Sequence, residues 1–149
     1  MEKTGVVTDE CMPYTSGETQ DSGSCVDKCA NGRQLKHYHA MSSQQSKSVD
    51  ATMQAIQFDG PVEAAFTVYE DFLNYKSGIY QHVEGSMLGG HAIKCIGFGT
   101  ENGIDYWLMA NSWGPDWGED GYFKIKRGDS QVDSNMNFGT PGQVWEASA

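Results

Sequence analysis

Two apolar, β-rich runs joined by an Asn-Gly pair constrain this chain more than any other feature. His91 to Gly99 and Tyr106 to Ser112 flank Glu101-Asn102-Gly103, and Asn-Gly between two strand patterns is the strongest short-range signal of a β-hairpin. His91 opens the first run and Asn111 closes the second, so antiparallel pairing predicts that both lie at one end of the sheet. The surrounding residues are Gly89-Gly90-His91-Ala92-Ile93 and Ala110-Asn111-Ser112-Trp113-Gly114. An imidazole beside a carboxamide can serve as a base and its orienter: the ring takes a nucleophile's proton, and the amide oxygen holds the ring in the useful tautomer. A single histidine is more often structural. The pairing across the hairpin is what points to chemistry.

The remaining chain falls into two stretches, 1–47 and 48–149. The first is polar, with turn signals at Met12-Pro13, Ser22-Gly23 and Asn31-Gly32, and reads as cross-linked loop. In the second, Val49, Met53, Ala55 and Ile56 predict one short amphipathic helix from Ser48 to Phe58, capped by Ser48 or Asp50 and ended by Gly60-Pro61. Val62 to Tyr69 alternates and predicts a strand. Aromatic residues then cluster in Asp71 to His82, read as a loop with a short strand at Gly78 to Gln81. After the hairpin and the turn at Gly114-Pro115-Asp116, a further strand is expected at Gly121 to Lys126, followed by an irregular tail from Gly128. The fold class is mainly β: an antiparallel, barrel-like domain with one short helix. His37, His39 and His82 read as surface residues. Tyr69, Phe72, Tyr75, Tyr80 and Trp107 read as packing.

Composition narrows the partners. Twenty acidic against ten basic residues give a net charge of −10, which argues against nucleic acid and anionic membranes. No apolar run approaches the roughly 18 residues of a membrane span, and Met1-Glu2-Lys3-Thr4-Gly5 is followed by no apolar signal-peptide core. The acidic excess reads as solvated surface. Hydrophobic content of 38% with eighteen glycines favours loop-rich β structure over a helical bundle. Of the four cysteines, Cys11, Cys25 and Cys29 cluster in polar sequence while Cys95 sits in an apolar strand pattern as a small buried hydrophobe. A zinc site completed by His37 or His39 misses the common ligand spacings. A disulfide such as Cys11–Cys29 fits better, and would stabilise by about 3 kcal/mol in the chain-entropy picture. One clustered cysteine is then left over, which suggests a partner elsewhere.

At these residues the chain resembles the papain family of cysteine proteases, and within it the cathepsin B group. The likeness is carried by Cys11-Met12-Pro13-Tyr14, Gly60-Pro61-Val62-Glu63-Ala64-Ala65-Phe66, Tyr75-Lys76-Ser77-Gly78-Ile79-Tyr80-Gln81-His82, the His91 and Asn111 segments, Trp113-Gly114-Pro115-Asp116-Trp117-Gly118 and Gly121-Tyr122-Phe123-Lys124-Ile125-Lys126-Arg127-Gly128. Val144-Trp145-Glu146 resembles the group's C-terminal end. Family enzymes have a helical half bearing the cysteine and a β-barrel half bearing histidine and asparagine. The resemblance implies that this chain is the second half, with the helical half absent. It implies His91 as general base, Asn111 as its orienter and Trp113 as the indole shielding their bond. Ala65, Gly90, Ala92 and Asn135 match the pocket for the substrate's second side chain upstream of the cut. Cys11 is implied to pair with Cys29, and Cys25 with a cysteine of the missing half. No metal or cofactor is implied. The partners are a peptide or protein substrate and the helical half, in a lysosomal, vacuolar or secreted setting.

Three departures shape the expectation. Between Cys11 and Cys25 only thirteen residues remain, without histidine; cathepsin B's paired-histidine loop for a free carboxylate would fall here, so an endopeptidase without dipeptide trimming is expected. Asn135 replaces an acidic residue at the base of the specificity pocket, so an arginine should no longer be favoured there. Finally, the family's Gln-x-x-x-Cys-Gly-x-Cys-Trp segment, whose cysteine heads a long helix that favours its thiolate, has no counterpart in this sequence. The chain alone is therefore expected to be inactive and to expose an apolar face normally covered. The rival reading is a half-protease kept as a binding, decoy or inhibitory module.

Overall fold

The computed structural model describes residues 3–46 and 48–146, with backbone alone for Pro141 and for 143–146. Met1-Glu2 and the side chains of Val144-Trp145-Glu146 thus lie outside the described residues. The chain divides into two compact units, one of Met1–Ser43 with Gly139–Ala149 and one of Gln44–Phe138. The division falls at Ser43/Gln44 rather than after residue 47, and the C-terminal residues go with the first unit.

In the larger unit a helix and a sheet share one core. Helix α2 (Val49–Phe58) begins where the Ser48 hydroxyl accepts the Ala51 N–H at 3.1 Å, satisfying one of the free donors of the first turn. It buries Thr52 and Ala55 and packs Val49, Met53 and Ile56 against the core. It ends at Gly60, whose φ of 110° lets the chain turn while its N–H bonds Ala55 O at 3.1 Å. Strand β2 (Val62–Tyr69) follows with strict alternation, burying Val62, Ala64, Phe66 and Val68. The β4 (Met87–Glu101) and β5 (Ile104–Ala110) hairpin closes through Asn102 and Gly103, with φ of 52° and 77°. Positive φ at both positions is the primed turn whose twist matches the flanking strands.

Strand order in this unit runs β7-β2-β4-β5-β6-β3, with β6 at Tyr122–Lys126, β3 at Ile79–Tyr80 and β7 starting at Met136. All pairs are antiparallel except β3 with β6, so the sheet is mixed rather than wholly antiparallel. The core joins Phe66 of β2, Ile93 and Cys95 of β4, Trp107 and Met109 of β5, and Phe123 and Ile125 of β6. Phe72 closes it from a 3₁₀ helix, Glu70–Asn74.

Three expectations need correction. The polar N-terminal stretch is not all loop: it holds a four-residue helix α1 (Ser16–Thr19) and strand β1 (Lys36–Gln45), so the described residues hold two α-helices rather than one. The tail is not irregular, since Asp129–Ser134 is helical in its turns and β7 spans Met136–Glu146. Strand β4 begins at Met87, so His91 sits inside it rather than at its start. Neither β1 nor β7 carries a hydrophobic alternation; backbone pairing with distant partners makes them strands. Within the smaller unit β1 lies beside β7. There a Cβ on Gly139 would collide with Ser42 O, and one on Gly142 would lie 2.6 Å from His39 O, so the close approach needs glycine. The Cys11–Cys29 disulfide forms as expected, and Cys25 and Cys95 are free.

Phe72 is fully buried, whereas Phe58 at the end of α2 is 77% exposed. Phe72→Ala should lower stability by about 3–5 kcal/mol, and Phe58→Ala by no more than roughly 0.5 kcal/mol. Urea unfolding of the two variants measures the contrast.

Candidate active site

His91 and Asn111 meet as the hairpin predicts. His91 Nε2 lies 2.9 Å from Asn111 Oδ1. The residues are not cross-strand partners, since His91 pairs with Phe66 of β2 while β5 ends at Ala110, opposite Lys94. Asn111 instead begins the loop after β5, where its N–H bonds Gly121 O at 2.9 Å. The amide is oriented by its neighbour: the Ser112 N–H donates to Asn111 Oδ1 at 2.8 Å. Only the oxygen can accept that bond, so the oxygen must also be what faces His91. His91 therefore donates from Nε2–H, and in the neutral ring the lone pair resides on Nδ1. The sequence reading missed Ser112 as a determinant of this tautomer; its signal was position alone, directly after the asparagine.

Aromatic rings enclose the imidazole. Trp113 stacks on it with centroids 5.1 Å apart and planes tilted 23°, and Phe66 lies 5.9 Å away. Trp113 is 39% exposed, with one flank resting on Phe72 at 5.5 Å and Trp117 at 5.1 Å. Asn111 Nδ2 is buried, with no hydrogen-bond partner among the described residues. Its loop is held from behind. Glu119 Oε1 accepts the Gly78 N–H at 2.8 Å and lies 3.0 Å from the Tyr75 hydroxyl, while burial pushes that phenol above its ordinary pKa.

The small residues expected to line a pocket, Ala65, Gly90 and Ala92, alternate with Phe66 and His91 along the same two strands. Ala65 pairs with Ala92 and Thr67 with Gly90; Gly90 and Ala92 are exposed and Ala65 half-buried. The Ala65 N–H donates to Asn135 O at 2.8 Å, bringing Asn135 to the edge of this small-residue patch, and Asn135 Nδ2 bonds Gln131 O at 3.2 Å. Four of the sequence-predicted residues are thus gathered along β2, β4 and the segment before β7.

The other histidines are partly exposed, and two make more contacts than a free surface residue. His82, its side chain 28% exposed, stacks its ring on Tyr69 at 3.6 Å, and its Nδ1 lies 3.2 Å from both Asp71 carboxylate oxygens. His37 is half-buried, with Nδ1 enclosed. Among the described residues no three His, Cys, Asp or Glu side chains group as metal ligands. The free sulfurs differ sharply. Cys95 is fully buried, and burial pushes its thiol up to about 12, far from a reactive thiolate. Cys25 is exposed, in a stretch without regular structure.

Two measurements check this geometry. Nitrogen NMR should find neutral His91 as the Nε2–H tautomer, and Asn111→Ala should convert it to a mixture of both forms. A thiol titration should count one reactive sulfur in the native chain and two after denaturation, the second being Cys95.

A family profile described as papain family cysteine protease matches residues 1–140. The cathepsin B-like CP3 of Giardia intestinalis is 52% identical over 128 residues, covering 84% of this chain and 43% of that protein. A gut-specific cysteine proteinase of Caenorhabditis elegans is 50% identical over 133 residues, covering 81% and 40%. Among solved structures, procathepsin B S9 from Trypanosoma congolense superimposes with a TM-score of 0.83 at 34% identity, over 95% of this chain and 50% of that one. The chain spans half or less of the length of these relatives, in keeping with one half of a two-half enzyme. It belongs to the papain family of cysteine proteases, among the cathepsin B-like members.

Proposed function

We propose that this chain supplies the histidine and asparagine half of a cathepsin B-like cysteine endopeptidase. The observation that carries the reading is the His91–Asn111 bond with its amide pinned by Ser112. With Nε2–H committed to Asn111, His91 Nδ1 is the available base. It takes the proton of a thiol borne on a helical half, and as imidazolium returns it to the leaving amine. Trp113, stacked on the ring, keeps water from competing for the bond to Asn111. Ala65, Gly90 and Ala92 form a floor low enough for a peptide backbone, and Asn135 stands at its edge without a charge to attract an arginine. The thirteen residues between Cys11 and Cys25 hold no pair of histidines, which supports internal cleavage over dipeptide release. The setting is lysosomal, vacuolar or secreted.

The thiol is supplied from outside this chain. Cys11 and Cys29 are joined, and Cys95 is sealed in the core. Cys25 heads no helix that would stabilise a thiolate, and serves as a cross-link to the helical half. By itself the chain is inactive.

Reconstitution tests this. Mixed with a separately produced helical half of a cathepsin B-like enzyme, the chain should cleave a fluorogenic peptide and be stopped by a thiol-directed epoxide. His91→Ala should lower turnover by about 10⁶-fold. A stable complex without turnover would support the binding-module reading instead. Turnover by the chain alone would overturn the claim of an external thiol.

A further inference from the structure

The segment between β3 and β4 has no regular secondary structure, yet its backbone is tied at several points. Asp71, in the 3₁₀ helix after β2, accepts the Val83 N–H at 2.9 Å and the Glu84 N–H at 3.3 Å on Oδ2. Its Oδ1 accepts the Tyr80 hydroxyl at 2.7 Å, and His82 Nδ1 lies 3.2 Å from both oxygens. The neighbouring Glu70 takes the Ser86 N–H at 3.0 Å on Oε2, and its own N–H bonds Ser86 O at 3.1 Å. His82 is further fixed by its stack on Tyr69 and by its N–H, 3.3 Å from Asp129 Oδ1. The arch from His82 to Ser86 is therefore fastened by carboxylates to a neighbouring element. It has no sheet to lean on.

This arch feeds the strand that bears His91. Pairing of β2 with β4 is regular from Val68↔Gly89 onward but slips at Tyr69↔Met87. Sheet pairing therefore fixes Gly89, Gly90 and His91 and is taken up again at Met87 opposite Tyr69, with Leu88 left in the slip beside the arch. We propose that Asp71 is a positioning residue of the site: its carboxylate clamps the His82–Ser86 arch and so sets the Met87–Leu88 entry into the strand that bears His91. The inference rests on the reading of His91 as the base.

The chemistry of the clamp suits an acidic setting. An ionised carboxylate receiving two backbone N–H groups and a phenol makes charge-assisted bonds, stronger than those of a neutral acceptor. Glu70, Glu84 and Asp129 are the other acidic groups around it, and His82 is the basic one. Burial pushes the Asp71 carboxyl up, but the bonds from Val83, Tyr80, Glu84 and His82 outweigh it and hold the group well below the usual carboxylate range. A folded value below the unfolded one means the contribution is complete above the ordinary pKa of about 4. It is lost only as the pH falls through the lower folded value. The clamp stays closed in mild acid, where an ordinary carboxylate begins to protonate.

Amide hydrogen exchange on the full chain tests the clamp without any need for activity. In Asp71→Asn the Val83 and Glu84 amides should exchange at least about tenfold faster, while Ser86, held by Glu70, changes less and the His91 tautomer signal persists. Unchanged protection of Val83 and Glu84, or loss of the His91 signal with global unfolding, would overturn the proposal. A titration of the unmutated chain stands beside this: the Val83 and Glu84 amide shifts should stay flat through pH 4, and a midpoint at about that ordinary value would also overturn it. In the reconstituted enzyme Asp71→Asn should raise KM severalfold and leave kcat in place. An active pair with unchanged KM sinks the positioning role, whereas an inactive unmutated pair sinks only the protease reading.

Discussion

The site depends on an aromatic cluster centred on Phe72. This ring has no exposure and meets Phe66, Tyr75, Tyr80, Trp113, Trp117 and Phe123 at centroid distances between 4.8 and 6.4 Å. Four of these contacts are edge-on, the arrangement that sets the positive rim of one ring against the negative face of another. The cluster does more than fill the core. Trp113 lies on a loop outside the sheet, and Phe72 and Trp117 give its indole a floor. On that floor it can lie flat against His91. The core thus continues into the site through stacked rings, and a strand-borne imidazole and a loop-borne amide keep a bond that neither element could hold unaided.

Much of this was legible in the residues because the signals were local. Ser48 with Val49, Met53 and Ile56 gave a capped amphipathic helix; Val62 to Tyr69 gave a half-buried strand by alternation; Asn102-Gly103 gave the hairpin, and with it the meeting of His91 and Asn111. What stayed hidden was set by partners far along the chain. β1 is mostly exposed and polar, and β7 carries Gly139, Pro141 and Gly142, so neither shows a strand pattern. Their backbones pair because the partner strand offers free groups. The contacts of His82 were hidden for the same reason. Nothing within a turn of it announces Asp71 or Tyr69, and only the fold brings the three together.

The amide of Asn111 shows how much chemistry a single backbone bond can decide. At ordinary precision the oxygen and nitrogen of a carboxamide look alike, and reversing them would reverse the imidazole's tautomer. The Ser112 N–H removes that freedom, because a nitrogen cannot accept it. The oxygen's orientation is thereby set at the position where it decides which ring nitrogen of His91 carries the proton.

The acidic excess also takes on a different meaning. As composition, a net charge of −10 suggested only a solvated surface. In the structure several carboxylates instead receive donors that the fold would otherwise leave to water. Asp71 takes the Val83 and Glu84 amides, Glu70 that of Ser86, and Glu119 that of Gly78. Asp133 takes the indole N–H of the buried Trp107 at 2.7 Å. Each fastens a segment without regular structure, or a core side chain's one polar group, to a neighbouring element. Loops held by anions stay fixed only while those anions are charged. Asp71 takes more donors than the others, and its carboxyl is held well below the usual carboxylate range.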